Sequence, residues 1–130
     1  MSRKERVRTR DVMQTSFTEI EGLATVREAV DLMRETGSRV LIVKKRDDMD
    51  EYGMVLLSDI GEQILAKDRA PERVNVYEIM SKPVVGVDPH MDVRYCARLF
   101  ARLGLSVMPV LEDEQVIGTV SYHELVLGGL

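Results

Sequence analysis

Few residues in this sequence are of the types that carry covalent chemistry, and their spacing does not group them. Two histidines, His90 and His123, and one cysteine, Cys96, have no close Cys/His spacing. A zinc centre needs about four such ligands converging tetrahedrally, so no metal pattern can be assembled and no metal ligand is expected. No nucleophile, base and orienting group stand together, and no glycine-rich phosphate loop is present, so no catalytic residue is expected. What remains is ionic and hydrogen-bonding chemistry. Arg39 is a candidate phosphate partner, because a guanidinium grips phosphate through two parallel hydrogen bonds. Asp59 follows Ser58 in the first turn of an expected helix, where a negative charge suits the helix dipole. Ser121 and Glu124 have the Ser-x-x-Glu spacing of a capping box, which stabilises a helix start with no ligand at all. His123, between them, faces either an anion or solvent.

The composition narrows the class. With 130 residues, 45% apolar and 31% charged, the chain has the balance of a folded globular protein, long enough for one ordinary domain or two very small ones. A formal charge of −4 offers no overall positive field to a phosphate backbone or an anionic membrane, so neither nucleic acid nor membrane is an expected partner. No charge-free apolar run approaches the roughly 18 to 20 residues of a membrane-spanning helix. One cysteine cannot form an internal disulfide and no secretory leader pattern is visible, which points to a cytoplasmic location. The basic stretch over 2–10 is read as a solvated tail, since so short a segment supplies few phosphate contacts.

The elements that would position these residues come from an internal repeat. A shift of 67 carries Met13 to Met80, Val26 to Val93, Arg27 to Arg94, Leu32 to Leu99, Gly37 to Gly104, Val40 to Val107 and Val43 to Val110. After the turn the shift becomes 65, matching Gly53 and Val55 to Gly118 and Val120, so the first copy holds two extra residues in a surface turn. Each copy reads as strand, helix, strand, strand, helix. In the first, Phe17 to Ile20 is a short strand, and Thr25 with Glu28 caps a helix whose apolar face is Val26, Ala29, Val30 and Met33. Gly37 ends it. Val40 to Val43 and Met54 to Leu57 are antiparallel strands joined by the charged turn Lys44 to Glu51, and Ile60, Ile64 and Leu65 give the closing helix an apolar face. The second copy repeats the series with a strand over Val84 to Val87, a helix from Asp92 to Gly104, strands over Val107 to Leu111 and Val116 to Val120, and a polar turn between them. The resulting division is a basic tail over 1–9, a first domain over 10–68, a linker over 69–76 and a second domain over 77–130.

With those residues in place, the chain resembles the cystathionine beta-synthase (CBS) domain family in its paired form, the Bateman module. The marks are Asp11-Val12-Met13 and Ile79-Met80 before each copy, Val87-Asp88-Pro89 ahead of the second helix, and Gly104-Leu105-Ser106-Val107-Met108-Pro109-Val110. The resemblance implies an α/β (α+β) fold of two βαββα units packed with pseudo-two-fold symmetry. It further implies a regulatory, energy-sensing module, not an enzyme, that holds an adenosine-type ligand (AMP, ADP, ATP or S-adenosylmethionine) in a cleft between the copies, with no cofactor required. An unidentified effector protein would read the change in packing, and pairs of such chains would form a homodimer. In family terms a Ser or Thr after the closing strand reaches phosphate, an Asp three residues later accepts from ribose hydroxyls, and apolar strand residues sandwich the base. Carried onto this sequence, the implied ligand residues are Asp59, Ser121, Glu124, His123 and Arg39, with Ile20, Val87, Met108 and Pro109 around the base. The chain departs from the pattern twice: Leu56 stands where the first copy should have its hydroxyl, and Glu124 stands where the second should have Asp. If these clefts are degenerate, the alternative is a ligand-free dimerisation or interaction module.

Overall fold

The fold is described from a computed structural model, which covers residues 6–82 and 84–130. The chain forms two compact units, one of Phe17–Val84 and one of residues 6–16 with Val85–Leu130.

The first-copy unit is built on a three-stranded sheet. Strand β1 (Thr18–Ile20) runs parallel to β2 (Val40–Val43), which pairs antiparallel with β3 (Gly53–Leu56). The crossover between β1 and β2 is helix α2 (Val26–Thr36), started by Thr25, whose Oγ1 accepts the Glu28 N–H at 3.1 Å, and ended by Gly37 at φ 74°. Val26, Ala29 and Met33 point from α2 into a core with Leu41, Val43 and Val55. After β3 comes α3 (Leu57–Ile60), which widens into a π turn over Gly61–Leu65. Ile60 and Ile64 are buried as their spacing predicts, but Leu65 turns outward and is 81% exposed.

The second-copy unit has the same plan in reduced form. Helix α4 (Val93–Leu103) starts at Asp92 and stops at Gly104, again in the left-handed region at φ 67°. Strands β4 (Val107–Glu112) and β5 (Gln115–Ser121) form a hairpin, and α5 (Tyr122–Gly129) closes the unit. The strand expected over Val84 to Val87 shrinks to one bridge, Val87 to Val110. Proline explains the loss: Val87 N–H donates to Pro109 O and Leu111 N–H to Val87 O, but Pro109 has no amide with which to extend the ladder. The equivalent residue of the first copy, Ile42, lies within β2 opposite Glu19.

The compact units do not follow the repeat boundaries of the sequence. The short helix α1 (Thr9–Val12), expected to open the first copy, belongs to the second-copy unit, where Val7, Val12 and Met13 pack on the core of Val93, Cys96 and Phe100. Gln14 exchanges two backbone hydrogen bonds with Thr119, at 2.8 and 2.9 Å. The equivalent exchange, between Ser81 and Met54 at 2.9 and 3.0 Å, ties the segment before the second copy to the first. Each leading segment thus completes the other copy's body. The supposed linker supplies core residues, with Val74 3% and Val76 0% exposed. Nor is the described part of the basic tail solvated throughout: Thr9 is fully buried, and the Arg8 guanidinium donates to His90 O at 2.7 Å.

Candidate ligand-binding turns

Both copies place a carboxylate at the turn from the last strand to the closing helix. In the first, Asp59 Oδ2 accepts the Leu56 N–H at 2.8 Å. In the second, Glu124 Oε1 accepts the Ser121 N–H at 2.7 Å and also the Ser121 hydroxyl at 2.8 Å. Each carboxylate therefore satisfies a backbone donor that the helix start leaves open. Each also keeps its second oxygen free of any hydrogen-bond partner among the described residues, on a half-buried side chain.

The surroundings of the two turns differ. Leu57 N–H donates to Arg39 O at 2.9 Å, which sets Arg39 directly beside the start of α3. Its exposed guanidinium has no hydrogen-bond or ion-pair partner among the described residues. Arg39 and Asp59 are thus brought to one end of the first-copy sheet. At the second turn Ser121, His123 and Glu124 lie together, with His123 exposed. The single hydroxyl proton of Ser121 is already donated to Glu124, so an arriving phosphate would find an acceptor there and not a donor.

The four apolar positions expected around the base are all buried. Met108 is 0%, Val87 2% and Ile20 8% exposed, and Pro109 is buried. Ile20 pairs with Val43, three residues along β2 from the Val40–Leu56 pair that leads into the closing turn, about 10 Å away. Ile20 fills the core of the first-copy unit and Val87 and Met108 that of the second, so these three have no open face to offer a base.

Two carboxylates outside the expected site, Asp50 and the helix-starting Asp92, carry the strongest electrostatic perturbations. The Lys82 ammonium, followed by the Arg46 backbone N–H, holds the Asp50 carboxyl well below the usual carboxylate range. Asp92 is held down to about 2 by hydrogen bonds from the Arg94 side chain and backbone, with Arg6 adding its charge. Asp92 is the N-cap of α4, accepting the Arg94 N–H at 2.8 Å, and so belongs to the architecture. Burial pushes the Cys96 thiol up, in keeping with a core residue. Among the described residues no three His, Cys, Asp or Glu side chains cluster for a metal, and no helix is long and apolar enough to cross a membrane.

Comparison with known proteins agrees with this architecture. The CBS domain family model matches residues 10–65 and 76–127. The chain is 30% identical over 121 residues to the uncharacterized protein MK0525 of Methanopyrus kandleri, covering 92% of this chain and 58% of that protein. The hexameric CBS-CP12 protein of bloom-forming cyanobacteria superposes with a TM-score of 0.91 at 36% identity, over 95% of this chain and 68% of that one. The CBS domain pair of MJ0100, solved in complex with 5′-methylthioadenosine and S-adenosyl-L-methionine, superposes with a TM-score of 0.81 over 96% of this chain and 98% of that one. At 19% identity it shares the fold.

Proposed function

The chain belongs to the CBS domain family, and on that premise we propose that it is a regulatory, non-catalytic sensor of an adenosine-type nucleotide, with the turn at Asp59 as its main contact. The observation that carries this reading is a free carboxylate oxygen on Asp59 at the helix start where the Arg39 backbone is held, the Arg39 guanidinium having no partner among the described residues. A carboxylate accepts from the two hydroxyls of a ribose, and a guanidinium beside it neutralises phosphate. The ligands of MJ0100 are adenosine derivatives that carry the ribose hydroxyls without a phosphate. The second turn would bind less well, because the hydroxyl proton of Ser121 is already donated to Glu124. The candidate ligands are AMP, ADP, ATP and S-adenosylmethionine. Binding would act through a homodimer or an effector protein, by differing in affinity between two packing arrangements.

Thermal unfolding with each of the four tests the reading. A ligand at a hundred times its dissociation constant adds about 2.7 kcal/mol of stability, a readily measured rise in Tm. No rise with any of them refutes the sensor reading. That outcome would favour the second reading, a ligand-free interaction module, which Leu56 and the closed Ser121–Glu124 pair support.

A further inference from the structure

At the other end of the first-copy sheet, away from Asp59 and Arg39, the ends of β1 and β2 open into a cavity of about 330 Å³. That volume lies at the lower end of the roughly 300–1,000 Å³ of small-molecule pockets. Its wall combines two chemistries. Leu23, Val43 and Tyr77 make an apolar side, with Leu23 79% and Tyr77 51% exposed in the absence of anything to cover them. Lys44, Arg46 and Lys82 make a cationic side.

The cations are only partly matched. Lys44 meets Glu21 at 3.5 Å, while Arg46 and Lys82 share Asp50, so three positive charges face two negative ones. The Arg46 side chain reaches Asp50 through Nε alone, which leaves both terminal nitrogens of the fork without a partner among the described residues. Lys82 has three donors and one carboxylate partner. The Lys44–Glu21 pair is solvent-exposed, and such pairs are worth about 0–1 kcal/mol, so an incoming anion displaces it at little cost. Asp50, whose side chain is 7% exposed, holds the other two cations in place whether or not an anion is present.

We propose that this cavity binds a small phosphate ester with a flat apolar body, the phosphate meeting Lys44, Arg46 and Lys82 and the body lying against Leu23 and Tyr77. Arginine's fork and two mobile ammonium groups suit the three oxygens of a phosphate monoester. The site is independent of the turn at Asp59 and does not require that turn to bind anything.

The test is a titration of the full chain with phenyl phosphate, followed by backbone amide NMR, with inorganic phosphate and phenol as the two half-ligands. Saturable shifts at Gly22, Leu23, Lys44 and Tyr77, with Asp59 and Ser121 unmoved, are expected. Each half-ligand should bind at least about tenfold more weakly than phenyl phosphate, since each makes one of the two kinds of contact. Lys44→Ala removes a side chain whose only ion-pair partner among the described residues is an exposed glutamate, so the fold should persist, and affinity should fall about tenfold. Tyr77→Leu should weaken phenyl phosphate while leaving inorganic phosphate unchanged. The proposal is overturned if the cavity amides do not shift, if K44A binds as tightly as the parent, or if inorganic phosphate alone matches phenyl phosphate.

Discussion

The two closing turns share one backbone hydrogen bond and differ in what else the carboxylate does. Asp59 and Glu124 each accept the N–H of the residue three positions earlier, at 2.8 and 2.7 Å. Glu124 also takes the hydroxyl of Ser121, whereas Asp59, facing Leu56, has no hydroxyl to take. Both side chains fold back on their own turn and leave one oxygen open; at the first turn the Arg39 backbone is also held at the helix start, through its carbonyl and the Leu57 N–H. Both carboxylates keep a second oxygen free among the described residues, so what separates the two turns is the Ser121 hydroxyl, which Glu124 takes and which Leu56 cannot supply.

The comparison between copies extends to their cores and can be broken there first. Phe100, fully buried and edge-to-face with Tyr122 at 5.1 Å between ring centroids, stands where the first copy has Met33. Phe100→Ala should destabilise by about 3–5 kcal/mol and Met33→Ala by about 2–5 kcal/mol, read as shifts in urea unfolding midpoints. The aromatic contact should place the second-copy variant at the upper end. A Phe100→Ala loss below that of Met33→Ala would mean that the second-copy core does not rest on its aromatic pair.

The hairpins between the paired strands offer a smaller effect. In the second copy, Asp113 at φ 51° and Glu114 at φ 64° both occupy the left-handed region, as a two-residue turn with the twist of a hairpin demands. Glutamate is poorly suited to that region. Replacing the pair by Asn-Gly should stabilise the protein by about 1 kcal/mol in the same urea assay. In the first copy the longer turn from Lys44 to Glu51 has no non-glycine residue with positive φ, so the same replacement at Asp47-Asp48 should bring no gain.

The smallest effect is in pH. Asp92 is held down to about 2 in the folded state by Arg94, so its contribution is complete above the unfolded value of 3.8 and is lost as pH falls between the two. Its arginine partners are 69% and 63% exposed, which keeps the effect small. Asp92→Asn should flatten the acid limb of stability between pH 4 and 2 relative to the parent. An unchanged slope would show that Asp92 is not held down.

The parts of this fold that were legible in sequence are those fixed within a few residues of chain. Thr25 and Asp92 start helices and Gly37 and Gly104 end them because caps act locally. The exchange of leading segments was not legible, since a repeat looks the same whether Asp11-Val12-Met13 packs on its own copy or on the other. The shortening of the strand before Asp88 turns on one missing amide, at Pro109, a residue that lies 22 positions downstream of Val87. For the site, Asp59 and Arg39 were visible as residue types, and only the Val40–Leu56 register shows that they share one end of a sheet. Ile20, Val87, Met108 and Pro109 were recognisable as apolar strand residues, but burial decides which way such residues face. The cationic cavity was hidden because Lys44 and Arg46 sit in a charged turn and Lys82 joins them only through the fold.

Calorimetric titration of AMP, ADP, ATP and S-adenosylmethionine into the parent chain, Asp59→Ala and Glu124→Ala tests the central claim most directly. Saturable binding of at least one ligand is expected, weakened more than about tenfold by Asp59→Ala and less than about threefold by Glu124→Ala. Binding that survives Asp59→Ala unchanged, or no binding of any of the four to the parent, would contradict the account.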